Sequence, residues 1–272
     1  MKQKISELPS PVIAGVVNQR TQAGVISEIK NCIFAGASII DLHLEWLAHL
    51  EEQELKKIME SSRLPVLALH YPKTIDEENA EQAEKLRTER LLQAVQAGAA
   101  GLDMQGYTFH LPSKSGFYGE DRYSFTKGNP KEVVTDAAVI GKQCDLIERV
   151  HAMGKEVLLS CHPGIPMCCD QVVDLALFLE QRHPDIIKIV TVAKTEEDLY
   201  ESIRTMTVLK KELHTPVTYH ATGSAGGLSR IVNPLLGGHI AFCVDRYEEQ
   251  TFIGQPQIRA MREIVDNVER NL

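Results

Sequence analysis

The chain has 272 residues, 43% hydrophobic and 24% charged, which is the balance of an ordinary globular protein. A formal net charge of −8 argues against nucleic acid as a partner and offers no basic face to a membrane. No apolar run reaches the length of a bilayer span, and Met1-Lys-Gln-Lys-Ile-Ser-Glu7 has no signal-peptide core, so a cytoplasmic location is expected.

Short apolar runs alternate with longer amphipathic ones along the chain. Predicted strands cover Val12–Val17, Ser38–Leu44, Pro65–His70, Gly101–Gln105, Glu156–Cys161, Ile186–Val192, Val217–His220 and His239–Val244. Helical patterns follow them, beginning near Thr21, Leu47, Glu78, Val134, Asp170, Thr195, Leu228 and Gln255. Thr195-Glu-Glu-Asp198 has the form of a capping box. Gly36, Gly98 and Gly154 fall between a helix and the next strand, where a left-handed residue is wanted. Eight βα units in about 260 residues match a closed parallel barrel, so a single (β/α)8 TIM barrel over residues 1–272 is expected. A doubly wound sheet would want a glycine-rich phosphate loop after the first strand, where Gly15-Val-Val-Asn-Gln-Arg20 stands instead.

The segment 106–133 interrupts the rhythm, with about 28 residues where 2–6 are usual. It carries Tyr107, Phe109, Phe117, Tyr118, Tyr123 and Phe125 together with Lys114, Arg122 and Lys127. A disordered tail would be poor in aromatics, so a lid over the barrel mouth or an interface arm is expected. The six cysteines are spread along the chain, and Cys161-His162 with Cys168-Cys169 lacks a second pair at ligand spacing, so neither a disulfide framework nor a metal centre is expected there.

Catalytic groups of such barrels sit at the C-terminal ends of the strands. Those ends carry Asp41, His43 and Glu45, then His70, Asp103, Gln105, His162, Lys188, His220 and Asp245. Period-two alternation puts Asp41, His43 and Glu45 on one face. Lys188 lies inside Asp185-Ile-Ile-Lys188-Ile-Val-Thr-Val192, an otherwise apolar strand where an ammonium is costly to desolvate. It is either an ion-paired structural lysine or an amine able to condense with a ketone.

The lysine strand, the preceding histidine strand and the C-terminal loops together resemble type I 3-dehydroquinate dehydratase. That resemblance implies a Schiff-base barrel enzyme of the shikimate pathway of aromatic amino acid biosynthesis, needing no cofactor or metal and assembling as a dimer. Lys188 falls at the family's Schiff-base lysine, and His162, in Leu-Leu-Ser-Cys-His162, at its general acid/base histidine. Gly226-Gly-Leu-Ser229-Arg230 is similar to the element whose arginine binds the substrate carboxylate. Thr251-Phe-Ile-Gly254-Gln255 is similar to its closing loop, with Thr251 in place of a serine.

The first half departs from the pattern. Asp41-Leu-His43-Leu-Glu45 stands where the family has Glu-x-Arg-x-Asp, so His43 replaces a substrate-orienting arginine. His70 stands at a second arginine, and Gln105 at a glutamate that hydrogen-bonds the catalytic histidine. Fewer positive charges in the pocket are expected, favouring a substrate with fewer anionic or hydroxyl groups. The resemblance implies substrate contacts from Asp41, His43, His70, Gln105, Arg230, Thr251 and Gln255, and catalysis by Lys188 and His162. For a cyclic β-hydroxy ketone bearing a carboxylate, that set eliminates water and converts 3-dehydroquinate to 3-dehydroshikimate. Two alternatives remain at this stage. One is a metal-dependent sugar isomerase using Asp41, His43, Glu45, His70, Asp103, His162 and His220, and the other is a non-catalytic ligand-binding barrel.

Overall fold

The computed structural model describes residues 3–47, 51–71, 80–110, 133–249, 251–252 and 254–271. Eight parallel strands form one sheet: β1 (Val12–Val17), β2 (Ile39–His43), β3 (Val66–Leu69), β4 (Gly101–Gln105), β5 (Glu156–Cys161), β6 (Ile186–Val192), β7 (Val217–Thr222) and β8 (Ile240–Cys243). The helices between and after them are α1 (Gln22–Ala35), α2 (Glu52–Ser61), α3 (Ala80–Gln96), α4 (Ala137–Ala152), α5 (Cys169–Glu180), α6 (Glu196–Glu212), α7 (Ser229–Leu235) and α8 (Ile258–Glu269). The hydrogen-bonded order runs β7-β6-β5-β4-β3-β2-β1-β8. Among the described residues β7 and β8 share no ladder. Their seam is bridged by His239 N donating to Val217 O at 2.8 Å and by Ile240 N donating to the Thr218 hydroxyl at 2.8 Å. The result is a nearly closed (β/α)8 barrel.

Local signals act as the sequence suggests. Thr195 caps α6 in a box with Asp198, and Gly36, Gly98 and Gly154 take φ of 102°, 118° and 69°. Three helices start later than their patterns, α4 among them at Ala137 rather than Val134. A 3-10 turn, Leu44–Trp46, precedes α2, and the stretch predicted to open the last helix at Gln255 stays irregular until Ile258. Of the long segment 106–133, residues 111–132 lie outside the described residues, so the expected lid or arm lies there too.

Period two divides the apolar residues of each strand. Ile13, Ile40, Leu42, Ala68, Leu102, Leu159, Ile187 and Ile189 pack outward against the helices. Val12, Ala14, Ile39, Leu67, Leu158, Ile186, Ile240 and Phe242 fill the barrel. The lower end is stoppered by the N-terminal segment. The buried Glu156 carboxylate accepts from Ile5 N and from the Ser6 amide and hydroxyl, while His239 bridges the Ser10 hydroxyl at 2.8 Å and Ile5 O at 2.9 Å. The polar groups that remain inside the barrel gather at its other end.

Candidate active site

A cavity of about 240 Å³ opens at the C-terminal mouth. Strands β2, β5, β6 and β7 supply its polar wall through Asp41, His43, His162, Lys188 and His220. Leu69, Tyr71, Val190, Phe242 and Phe252 supply apolar and aromatic surface. Gln255 and Arg230 reach in from the loops and helix that follow β7 and β8. Of the residues singled out from the sequence, Asp41, His43, His162, Lys188, Arg230 and Gln255 therefore share one cavity.

Lys188 projects from the middle of β6 and is 6% exposed. Its Nζ lies 3.7 Å from Asp103 Oδ2 and 4.3 Å from the centre of the Phe242 ring. Asp103 is fully buried on β4 and accepts a 2.5 Å hydrogen bond from the Ser160 hydroxyl. Burial raises the Asp103 pKa, whereas Lys188, Ser160 and His162 pull it down. The ammonium is thus paired, loosely, from below, and its other side faces the cavity.

His43 is gripped between two carboxylates. Its Nδ1 lies 2.9 Å from Glu45 Oε1 and its Nε2 3.2 Å from Asp41 Oδ2. A ring that donates from both nitrogens must be an imidazolium. Burial opposes that charge, but Glu45 and Asp41 outweigh it and raise the His43 pKa to about 10. The expected loss of positive charge at this position is therefore corrected, because His43 keeps the charge an arginine would have. What it lacks is a spare donor. The free hydrogen-bonding capacity of this wall belongs to Asp41 Oδ1, which is buried and has no partner among the described residues.

Arg230 stands on the first turn of α7. That turn is pinned to the end of β7 by Ser229, whose hydroxyl donates to Gly226 O at 2.6 Å and accepts from Ala221 N at 2.8 Å. Gly226 fits because a Cβ there would meet the Ala221 backbone at 2.7 Å. Arg230 is 9% exposed, its guanidinium stacks 4.9 Å from the Phe252 ring, and it has no carboxylate partner among the described residues. Burial lowers its pKa to about 10. An unpaired buried guanidinium beside a lysine calls for an anion from outside.

Three predicted contacts are not on the cavity wall. His70 follows the outward-facing Val66 and Ala68 of β3, so the pleat turns its ring away from the mouth, and both ring nitrogens are buried without a hydrogen-bond partner among the described residues. The inward position at the end of β3 is Tyr71, whose hydroxyl lies 3.5 Å from His162 Nε2 and whose ring meets His43 and His162 edge-on. Gln105 does not reach His162. Its carbonyl oxygen accepts from Arg87 Nη1, and its Nε2 donates to Asp103 O at 3.1 Å and Oδ1 at 3.3 Å. The Thr251 hydroxyl oxygen accepts from Glu248 N at 2.9 Å, and the neighbouring Phe252 reaches the cavity instead. Asp245 pairs with Arg246 at 3.5 Å and does not line the cavity. Tyr71 is the cavity residue that sequence reasoning missed, whereas Asp103 and His220 stand among the strand-end candidates without a role in the dehydration. Strict parity from Leu69 would have found Tyr71.

Fold and site together define a (β/α)8 barrel with a lysine, a histidine and an unpaired arginine around one cavity at its C-terminal mouth. Residues 138–271, just under half of the chain, match the family model described as type I 3-dehydroquinase. A 3-dehydroquinate dehydratase of Aromatoleum aromaticum is 23% identical over 154 residues, 56% of this chain, and the match spans about half (55%) of that relative's length. The whole chain superposes on the type I 3-dehydroquinate dehydratase of Clostridium difficile, solved with covalently modified comenic acid, with a TM-score of 0.72 at 13% identity and complete coverage of both chains. The 3-dehydroquinate dehydratase of Geobacillus kaustophilus gives a TM-score of 0.70 at 13% identity over 99% of this chain and 97% of that one. The matched half holds His162, Lys188, Arg230 and Gln255; the half that departs holds Asp41, His43 and Tyr71.

Proposed function

We propose that this chain is a Schiff-base-forming carbon–oxygen lyase that removes water from 3-dehydroquinate, giving 3-dehydroshikimate, or from a closely related cyclic β-hydroxy ketone with a carboxylate. The observation that carries this reading is Arg230, without a carboxylate partner among the described residues, facing the same cavity as Lys188 and His162. Arg230 holds the carboxylate in a planar fork and fixes the ring over the lysine. Lys188 Nζ condenses with the ketone, expelling its oxygen as water, and the iminium withdraws electrons from the adjacent carbon. His162 takes the proton from that carbon, the electron pair forms the new double bond, and the β-hydroxyl leaves as water with the proton His162 returns. Water then hydrolyses the imine and frees Lys188. Asp41 Oδ1 offers an acceptor to a ring hydroxyl, and Gln255 an amide from the far side.

A single-domain cytoplasmic homodimer acting on a small molecule belongs to this proposal, and no helix among the described residues is long and apolar enough to cross a membrane. The metal-isomerase alternative meets an obstacle at His43, whose two nitrogens both carry protons and so have no lone pair to give. The test is borohydride reduction in the presence of 3-dehydroquinate followed by peptide mapping. A stable added mass on Lys188 is expected, and its absence with every cyclic hydroxy ketone tried would sink the proposal.

A further inference from the structure

Among the described residues, His220 is the one imidazole on the cavity wall that the dehydration above does not use and that no pair of carboxylates holds, as Asp41 and Glu45 hold His43. It projects from β7 into the same cavity and is 5% exposed, and its ring has no hydrogen-bond partner among the described residues. The strand register places it closely. Cys161 of β5 pairs with Ile189 of β6, so His162 stands level with Val190; Val190 pairs in turn with His220 of β7. Lys188 lies one inward position below Val190. The two histidines therefore flank the lysine at one height, on the strands to either side of its own. An imidazole that lines the cavity with no protein partner on either nitrogen has both of them available to a ligand there.

We propose that His220 is a second proton-transfer residue of this pocket, relaying protons between Lys188 Nζ and the ketone oxygen while His162 works on the adjacent carbon. The proposal rests on the Schiff-base reading and deepens it. Condensation of a lysine ammonium with a ketone balances without an outside proton. The C–N bond forms, the C–O bond breaks, one of the three N–H protons stays on the iminium nitrogen, and the other two leave with the oxygen as water. His220 takes each of those two from nitrogen and hands it to oxygen. Burial and the neighbouring Arg230, Lys188 and His162 hold its pKa well below the ordinary histidine value, so it rests neutral, with one N–H to give and one lone pair to receive. Hydrolysis of the product imine is the same relay in reverse.

The test compares wild type with His220→Met and His220→Gln in borohydride-quenched time courses of Lys188 adduct formation. Two probes are used, 3-dehydroquinate and pyruvate, a small keto acid that needs only the lysine and an anion site. Both variants are expected to form the adduct at least about 10-fold more slowly with either probe. Solvent-deuterium exchange at the carbon beside the imine, per molecule of adduct, should stay at the wild-type rate. His220→Gln keeps a donor and an acceptor but carries no proton, and melting curves of both variants report folding. A wild-type rate of adduct formation in His220→Gln overturns the proposal. A wild-type enzyme that forms the pyruvate adduct but none with 3-dehydroquinate overturns the substrate reading, and the pyruvate rates then decide the role of His220. No adduct with either probe overturns both.

Discussion

Lys188 Nζ and Asp103 Oδ2 face each other at 3.7 Å across the inside of the barrel, between β6 and β4, with Asp103 withdrawn completely from solvent. The pair is inherently one-sided. Asp103 is steadied by the Ser160 hydroxyl, so the lysine needs the aspartate more than the reverse. Breaking a buried pair leaves one uncompensated charge and costs on the order of 3 kcal/mol, whereas replacing both partners with apolar groups costs much less. Lys188→Met and Asp103→Leu are each expected to lower the urea midpoint substantially, and the double variant to recover most of the loss. Additive losses in the double variant would show that the two groups are not coupled.

The clamp on His43, together with two buried neutral histidines, is expected to place a stability maximum near pH 6.5. In the unfolded chain this imidazole titrates near 6.5, whereas in the fold Glu45 and Asp41 carry it to about 10 against the cost of burial. Its contribution is therefore complete below pH 6.5 and is lost as the pH rises through about 10. Two other histidines work in the opposite sense. His70 is pushed down to about 4 by burial, with Arg87 and Arg90 adding to the effect and Glu45 opposing it, and His220 sits well below its ordinary value. Both bind fewer protons folded than unfolded, so stability falls as the pH drops from 6.5 toward 4. Each group contributes a slope of up to about 1.4 kcal/mol per pH unit. Denaturation series from pH 4 to 10 should give a dome, and His43→Gln should flatten only its alkaline side. A wild-type profile that rises between pH 7 and 9 would contradict the clamp.

Gln105 is held in place by a guanidinium fork rather than by the histidine. Arg87, 3% exposed on α3, gives Nε and Nη2 to Glu84 at 2.8 and 2.6 Å, Nη2 also to Thr108 at 2.9 Å, and Nη1 to His70 O at 3.2 Å and to Gln105. The charge of Arg87 is already met by Glu84. Gln105→Glu would replace the donor facing Asp103 with a second carboxylate oxygen at the same short range. It is expected to cost about 1–3 kcal/mol and to bring no gain in turnover. Arg87→Lys should cost at least as much, because an ammonium cannot span Glu84, Thr108 and Gln105 together. Both are checked by denaturant unfolding and initial rates; a more stable or faster Gln105→Glu would restore the idea that this position serves His162.

The contrast between Gln105 and Lys188 marks where the sequence is informative. Strand existence and order follow from local periodicity, so β1 through β8 and the placement of Lys188, His162 and Asp41 on inward positions are legible in the chain itself. Errors came where strand ends were read without their pleat. His70 is the last residue of an apolar run, yet Leu69 and Tyr71 hold the inward positions, one residue either side. The partners of Gln105 were invisible for another reason. Arg87 lies 18 residues away on a helix with no apolar signal to aim it at the end of β4. The N-terminal stopper is harder still, since Ile5 meets Glu156 across 151 residues of chain. Thr251 is lost to local competition, because its hydroxyl oxygen accepts from a backbone amide three residues away, Glu248 N.

Arg230 places the needs of binding against those of folding. Its guanidinium is 9% exposed and has an aromatic ring, Phe252, for company instead of a carboxylate. Stacking returns only part of the desolvation cost, which is why burial alone brings its pKa down to about 10. Arg230→Met keeps much of the volume and removes the stranded charge, so the ligand-free protein is expected to become more stable by about 1–3 kcal/mol. The same change should raise KM for a carboxylate-bearing ketone by at least about 100-fold, since a charge-assisted bidentate contact is worth roughly 3 kcal/mol when its partner is buried. Phe252→Ala should produce a smaller KM effect and a slightly less stable protein, because it loosens the guanidinium without removing it. Thermal melts without ligand and KM measurements on the purified variants separate the two contributions. An Arg230→Met protein that melts below wild type would mean that the guanidinium serves the fold, and the anion site would have to be sought elsewhere on the cavity wall.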